Sequence, residues 1–241
     1  MKSVLPFALT LLVISGGIAR AGAPDDLRTA AAAGRPVFLV VTEAGTKGTE
    51  LARRVSAEAA QIVGDAAVVE LDRGDAGNAD VVKRYRLATA PVPLILVIAA
   101  NGVAAGGAKP SAITAARLAK LVPSAGKAAY LKALDEGKAA FLVFGGEKTP
   151  GRAAASAACA AAVATLEGKA ATVVVDPADP LEGAFVGEMQ VDPKAAVATT
   201  VVVNAKGQRA AVFTAVPASA ALVEAATKPV EDCGCVGGRC K

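Results

Sequence analysis

Apolar residues along this chain gather in short runs bounded by glycine, proline or charge, with alanine-rich stretches between them. The segments 36–41, 66–72 and 92–97 are short and rich in Val, Ile, Leu and Phe, which predicts buried strands. Alanine is the strongest helix former, so the stretches between them predict helices. The order over the first half is strand, helix, strand, helix, strand, turn, strand, helix. The same order then returns. Segment 140–144 follows the first run after about 103 residues, 170–176 follows the second after about 104, and 197–202 follows the third after about 105. Predicted helix ends near Leu87 and Val191 are again about 104 apart. A nearly constant offset across five elements marks an internal duplication.

Each unit opens with strand, helix, strand, and the intervening helix predicts a parallel pairing. Asn101-Gly102 and Lys206-Gly207 follow the third strands, and Asn-Gly is a strong hairpin signal. The fourth strands, 103–107 and 208–214, are the least marked, because Gly106 and Gly107 are poor strand material. Closing helices are expected at 111–121 and 218–226.

A mixed sheet in this order, with Val92-Pro93 opening the third strand and Asn101-Gly102 closing it, resembles the thioredoxin fold. The resemblance implies an α/β protein of two tandem thioredoxin-like domains, 24–122 and 128–228, each a mixed central sheet flanked by helices. A short linker around 123–126 implies that they pack together. A Cys-rich tail, 229–241, follows.

The family's Cys-x-x-Cys, between the central strand and its helix, is missing from both units. In the first, Gly45 and Gly48 stand where the two cysteines would be, within Glu43-Ala44-Gly45-Thr46-Lys47-Gly48-Thr49. In the second, Lys148 and Gly151 stand there. Without thiols these loops cannot carry out thiol–disulfide exchange by the family mechanism. They read instead as helix starts, with Thr46 or Thr49 as N-cap and Pro150 near the first turn. The other reading is a small anion or peptide site using Lys47, Lys148 or Arg152. The resemblance also implies a cis-proline beside the lost dithiol, presenting backbone to a bound peptide. Pro93 is the candidate and Pro91 the alternative; the second unit has Ala198-Thr199 at that place, where a cis bond would cost about 2.5–4 kcal/mol.

Lys2, the apolar run 4–18 and Ala19-Arg20-Ala21 have the shape of a secretory signal, residues 1–21, cut after Ala21. The expectation is an exported protein, periplasmic or extracellular, with no membrane attachment after cleavage and in a compartment where disulfides persist. The formal net charge of +4 then falls to about +2, and the basic pairs read as solvated helix faces. No aromatic platform accompanies them, so no nucleic-acid partner is expected. Histidine is absent, which excludes Ser-His-Asp and Cys-His hydrolases and any imidazole metal site.

Four cysteines remain. Cys159, in the alanine-rich helix 153–163, reads as a small core residue. Cys233, Cys235 and Cys240 crowd into the last residues among three glycines. Three readings stay open. Their thiolates could surround Cu(I) or share a zinc ion with an outside ligand. A Cys233–Cys235 pair could form a small strained disulfide with Cys240 as resolving thiol. Or one disulfide could close within the tail while the odd thiol pairs with Cys159 or another chain. The expected function is an exported, non-catalytic binding or scaffold protein for a protein or peptide partner. The alternative is a thiol oxidoreductase or electron relay using the tail cysteines.

Overall fold

The computed structural model describes residues 22–228 and contains two four-stranded mixed sheets. The first unit runs α1 (Ala23–Ala32), β1 (Val37–Thr42), α2 (Thr49–Val63), β2 (Ala67–Asp72), α3 (Ala79–Arg84), β3 (Leu94–Ile98), β4 (Ala104–Ala108) and α4 (Ala115–Ala119). The second runs α5 (Ala125–Asp135), β5 (Ala139–Phe144), α6 (Arg152–Thr165), β6 (Ala170–Val175), α7 (Gly183–Glu188), β7 (Thr199–Val203), β8 (Arg209–Phe213) and α8 (Ser219–Thr227). The sheet orders are β2-β1-β3-β4 and β6-β5-β7-β8. In each, the first two strands pair in parallel and the other pairings are antiparallel.

The central strands read as unbroken apolar runs because both faces of each sheet are covered. Phe38, Leu39, Val40 and Val41 are fully buried, each worth about 1.5–3 kcal/mol of apolar transfer. Phe38 and Val40 face α2 and α4; Val37, Leu39 and Val41 face α1 and α3. On α2 the buried positions are Ala52, Val55, Ser56 and Ala59, and on α6 Ala155, Cys159 and Ala162, the spacing of one helical stripe.

The duplication extends to backbone detail. Positive φ recurs at Gly34 and Gly137, Gly48 and Gly151, Arg86 and Gln190, and Gly102 and Gly207. A register shift in the last hairpin falls at Val97/Ile98 and again at Val202/Val203. Asp75 accepts from the Gly77 N–H, and Asp179 from the Leu181 N–H, each at 2.9 Å. The strand order and the crossover, repeated in both units, are those of two tandem thioredoxin-like domains.

Several elements differ from the sequence reading. Each unit opens with a helix, α1 or α5, that the apolar runs did not announce. Helix α5 begins at Ala125 with Ser124 as its cap, so the second unit starts inside the supposed linker and ahead of residue 128. The buried Glu182 fixes that start: it accepts from Ser124 Oγ at 2.6 Å and from the Gly126 N–H at 2.7 Å. The third strand begins at Leu94, two residues late, and the closing helix shrinks to Ala115–Ala119 because Thr114 caps it there, accepting from the Arg117 N–H. Between the units, Asn101 Nδ2 donates to Ala128 O at 2.7 Å, and Ala99 and Val103 pack on Ala128 and Leu131.

Candidate functional site

Strand β1 ends at Thr42, and the chain reaches α2 through a loop closed by Gly48. Gly48 is the N-cap, with φ 88° and ψ 6°, a left-handed geometry that glycine adopts without a Cβ penalty. Neither Thr46 nor Thr49 caps the helix, contrary to the sequence reading. Thr46 Oγ1 accepts from the Glu43 N–H at 3.2 Å within the loop, and Thr49 lies in the first turn. Pro150 lies one residue before the N-cap of α6, Gly151, at φ 82°.

Gly48 faces Pro93: a Cβ placed on Gly48 would lie 3.6 Å from Pro93 Cγ. The Val92–Pro93 bond is the cis peptide bond among the described residues, so the Ala90–Pro91 bond is trans. Gly45 points away, with nothing within 4 Å of its Cβ position. Between Gly48 and Pro93 lies a cleft of about 240 Å³ with Leu51, Pro91, Val92 and Pro110 along its apolar side. Lys47 and Lys109 stand on its rim, both exposed and without an ion pair among the described residues. The Val92 N–H and C=O also lack hydrogen-bond partners among the described residues.

Arg73 links the two loops that lead into this cleft. Its Nε donates to Glu43 Oε2 at 2.9 Å, and its Nη1 donates to Ala90 O at 2.6 Å. One guanidinium therefore ties the loop before α2 to the loop before Pro93. Sequence reading missed Arg73, since nothing local links it to a glutamate thirty residues earlier. It also missed Lys109, which the weakly marked fourth strand carries to the cleft.

The second domain is built differently here. Gly146 and Pro177 take the places of Glu43 and Arg73, and the brace is gone. An open cavity of about 530 Å³ remains, with Glu147, Lys148, Asp176 and Asp192 on its walls. The Ala198 N–H, at the counterpart of Pro93, donates to Pro150 O at 2.9 Å, so this backbone is already paired. Gly151 faces Val216, whose Cγ2 would lie 3.3 Å from an added Cβ.

Cys159 lies on the inner face of α6, fully buried beside Phe141 and Val143. Burial pushes its thiol up to about 11, which keeps it protonated and unreactive. Its counterpart on α2 is Ser56, also fully buried. Cys233, Cys235 and Cys240 lie outside the described residues. Among the described residues no group of three or more His, Cys, Asp or Glu side chains is arranged to hold a metal ion, and no helix is long and apolar enough to cross a membrane.

No protein-family model and no curated protein matches the sequence. Solved structures similar to this fold include the zinc-bound form of human ERp44, at 9% identity and TM-score 0.35, covering 82% of this chain and 56% of that one. Thus the chain spans little more than half of that protein's length. The first two thioredoxin domains of Saccharomyces cerevisiae Eps1p match at 10% identity and TM-score 0.32, covering 90% and 99%. An N-terminal domain of the alkylhydroperoxide reductase AhpF from Enterococcus faecalis matches at 12% and TM-score 0.28, covering 85% and 99%.

Proposed function

We propose that this is an exported, non-catalytic thioredoxin-like binding or scaffold protein whose first domain holds an extended peptide in the cleft beside Pro93. The observation that carries this reading is Gly48, left-handed at the head of α2 and facing Pro93 where the resembled family carries its dithiol. With no sulfur there, the cleft has backbone and two cations to offer and no redox chemistry. The unpaired Val92 N–H and C=O would accept an extended backbone as an added strand. Lys47 and Lys109 would favour acidic side chains on that peptide. The tail, with Cys233, Cys235 and Cys240, would supply a separate thiol site for Cu(I), zinc or a partner's cysteine. That site would draw on these three thiols, since the Cys159 sulfur is buried in the second domain.

Fluorescence anisotropy with a labelled peptide of alternating valine and aspartate tests the cleft. Saturable binding is expected, weakened about tenfold or more by the double variant Lys47→Glu, Lys109→Glu. Equal binding by the charge-reversed protein would contradict the reading.

A further inference from the structure

The first domain holds a second cavity, at the other end of β1 and β3 from Gly48 and Pro93 and on the opposite face of the sheet. Its volume is about 290 Å³, and Leu27, Val37, Val81, Tyr85 and Ile98 form its apolar walls. That approaches the lower end of the range for small-molecule pockets, about 300 Å³.

The second domain differs at two of the walls. The counterparts of Leu27 and Val81 in the second domain are Tyr130 and Phe185. Those two rings stack with centroids 5.5 Å apart and are almost fully buried. At these two positions aromatic rings stand in the second domain where the first has smaller side chains, while Tyr85, on the cavity wall, stands where the second domain has Met189. The vacancy has the size and the apolar walls for an aromatic ring or a short branched hydrocarbon.

The rim supplies the polar end. Arg28, Arg35 and Arg84 line it, against the single carboxylate of Asp80. Arg28 is paired with Asp25, and Arg35 with Asp65. Arg84 has no carboxylate partner among the described residues. Its Nη2 donates to Gly102 O at 3.1 Å, and its guanidinium lies over the Tyr85 ring, 5.2 Å from the centroid. The remaining donors of that planar fork match a carboxylate. Tyr85 Oη also donates to Gly102 O, at 3.0 Å, so Arg84 and Tyr85 share one anchor on the β3–β4 turn.

From this geometry we propose that the cavity binds a small amphiphilic monocarboxylate, its aromatic or short aliphatic body between Leu27 and Val81 and its carboxylate on Arg84. This site is independent of the cleft beside Pro93.

Isothermal titration of the mature chain with 3-phenylpropionate, and with its neutral analogue 3-phenylpropanol, tests the proposal. One saturable site is expected for the acid, with the alcohol at least tenfold weaker. Arg84→Gln, an exposed position, should weaken the acid about tenfold. Val81→Phe and Leu27→Tyr each import the second domain's filling; either should abolish binding while the thermal transition is kept or raised. Whichever of the two keeps a cooperative thermal transition decides. No saturable binding of 3-phenylpropionate to the unmodified chain, unchanged affinity in Arg84→Gln, or retained binding in a folded filling variant would each overturn the proposal.

Discussion

Arg73 grips Glu43, at 2.9 Å from Nε to Oε2, while their counterparts in the second domain are Pro177 and Gly146. The two domains share a backbone and differ in whether the loops at this end of the sheet are tied together. The side chain of Arg73 is only 20% exposed, and it also donates to Ala90 O and Leu87 O.

Replacing Arg73 with alanine is expected to destabilise the first domain by about 1–3 kcal/mol, the cost of leaving partly buried acceptors unpaired. Native-state hydrogen exchange should quicken at residues 43–48 and 87–92 before the rest of that domain. Unchanged exchange in both loops would show that Arg73 does not brace them.

Glu182 gives a parallel prediction in the second domain. It is buried and accepts from both Ser124 Oγ and the Gly126 N–H, satisfying donors at the start of α5. Glu182→Ala should cost about 1–3 kcal/mol in urea unfolding. Gly126→Ala should also destabilise, since its Cβ would lie 2.8 Å from Glu182 Oε2 and 2.9 Å from Val175 Cγ2. A neutral effect of both substitutions would mean that α5 does not depend on this contact.

Cys159 sets a pH dependence. Its thiol is raised from an ordinary 9.0 to about 11 by burial, so the folded state holds its proton more tightly than the unfolded chain. The stability this contributes is complete below about pH 9 and is lost as pH rises toward and through 11. With Cys233, Cys235 and Cys240 changed to serine, a thiol reagent at pH 8 should find no reactive sulfur in the folded protein and one after denaturation. Rapid labelling of the native protein would contradict the burial of Cys159.

Much of the fold was legible because a buried parallel pair needs continuous apolar strands, and the two copies repeat them at nearly one offset. The helices α1 and α5 were not legible. Neither contains Val, Ile or Phe, so the strand-forming runs pass over them, and α5 is fixed by Glu182, more than fifty residues away. The glycine caps were hidden by a local signal: Thr46 and Thr49 are good capping residues by type, yet the turn places Gly48 at the cap in a left-handed conformation. Gly48 and Pro93 could be named in advance from the family resemblance, whereas Lys109 and Arg73 reach the cleft only through tertiary structure. The tail's chemistry, on Cys233, Cys235 and Cys240, lies outside the described residues and rests on sequence alone.

A thioredoxin-like tandem without thiols at the heads of α2 and α6 is expected to bind rather than reduce. Insulin reduction in the presence of dithiothreitol, run on a chain of residues 22–241 and on one of residues 22–229, tests it most directly. Both proteins are expected to match the uncatalysed rate. Turnover by the longer chain that disappears on removing the tail would contradict the account and place the chemistry on Cys233, Cys235 and Cys240.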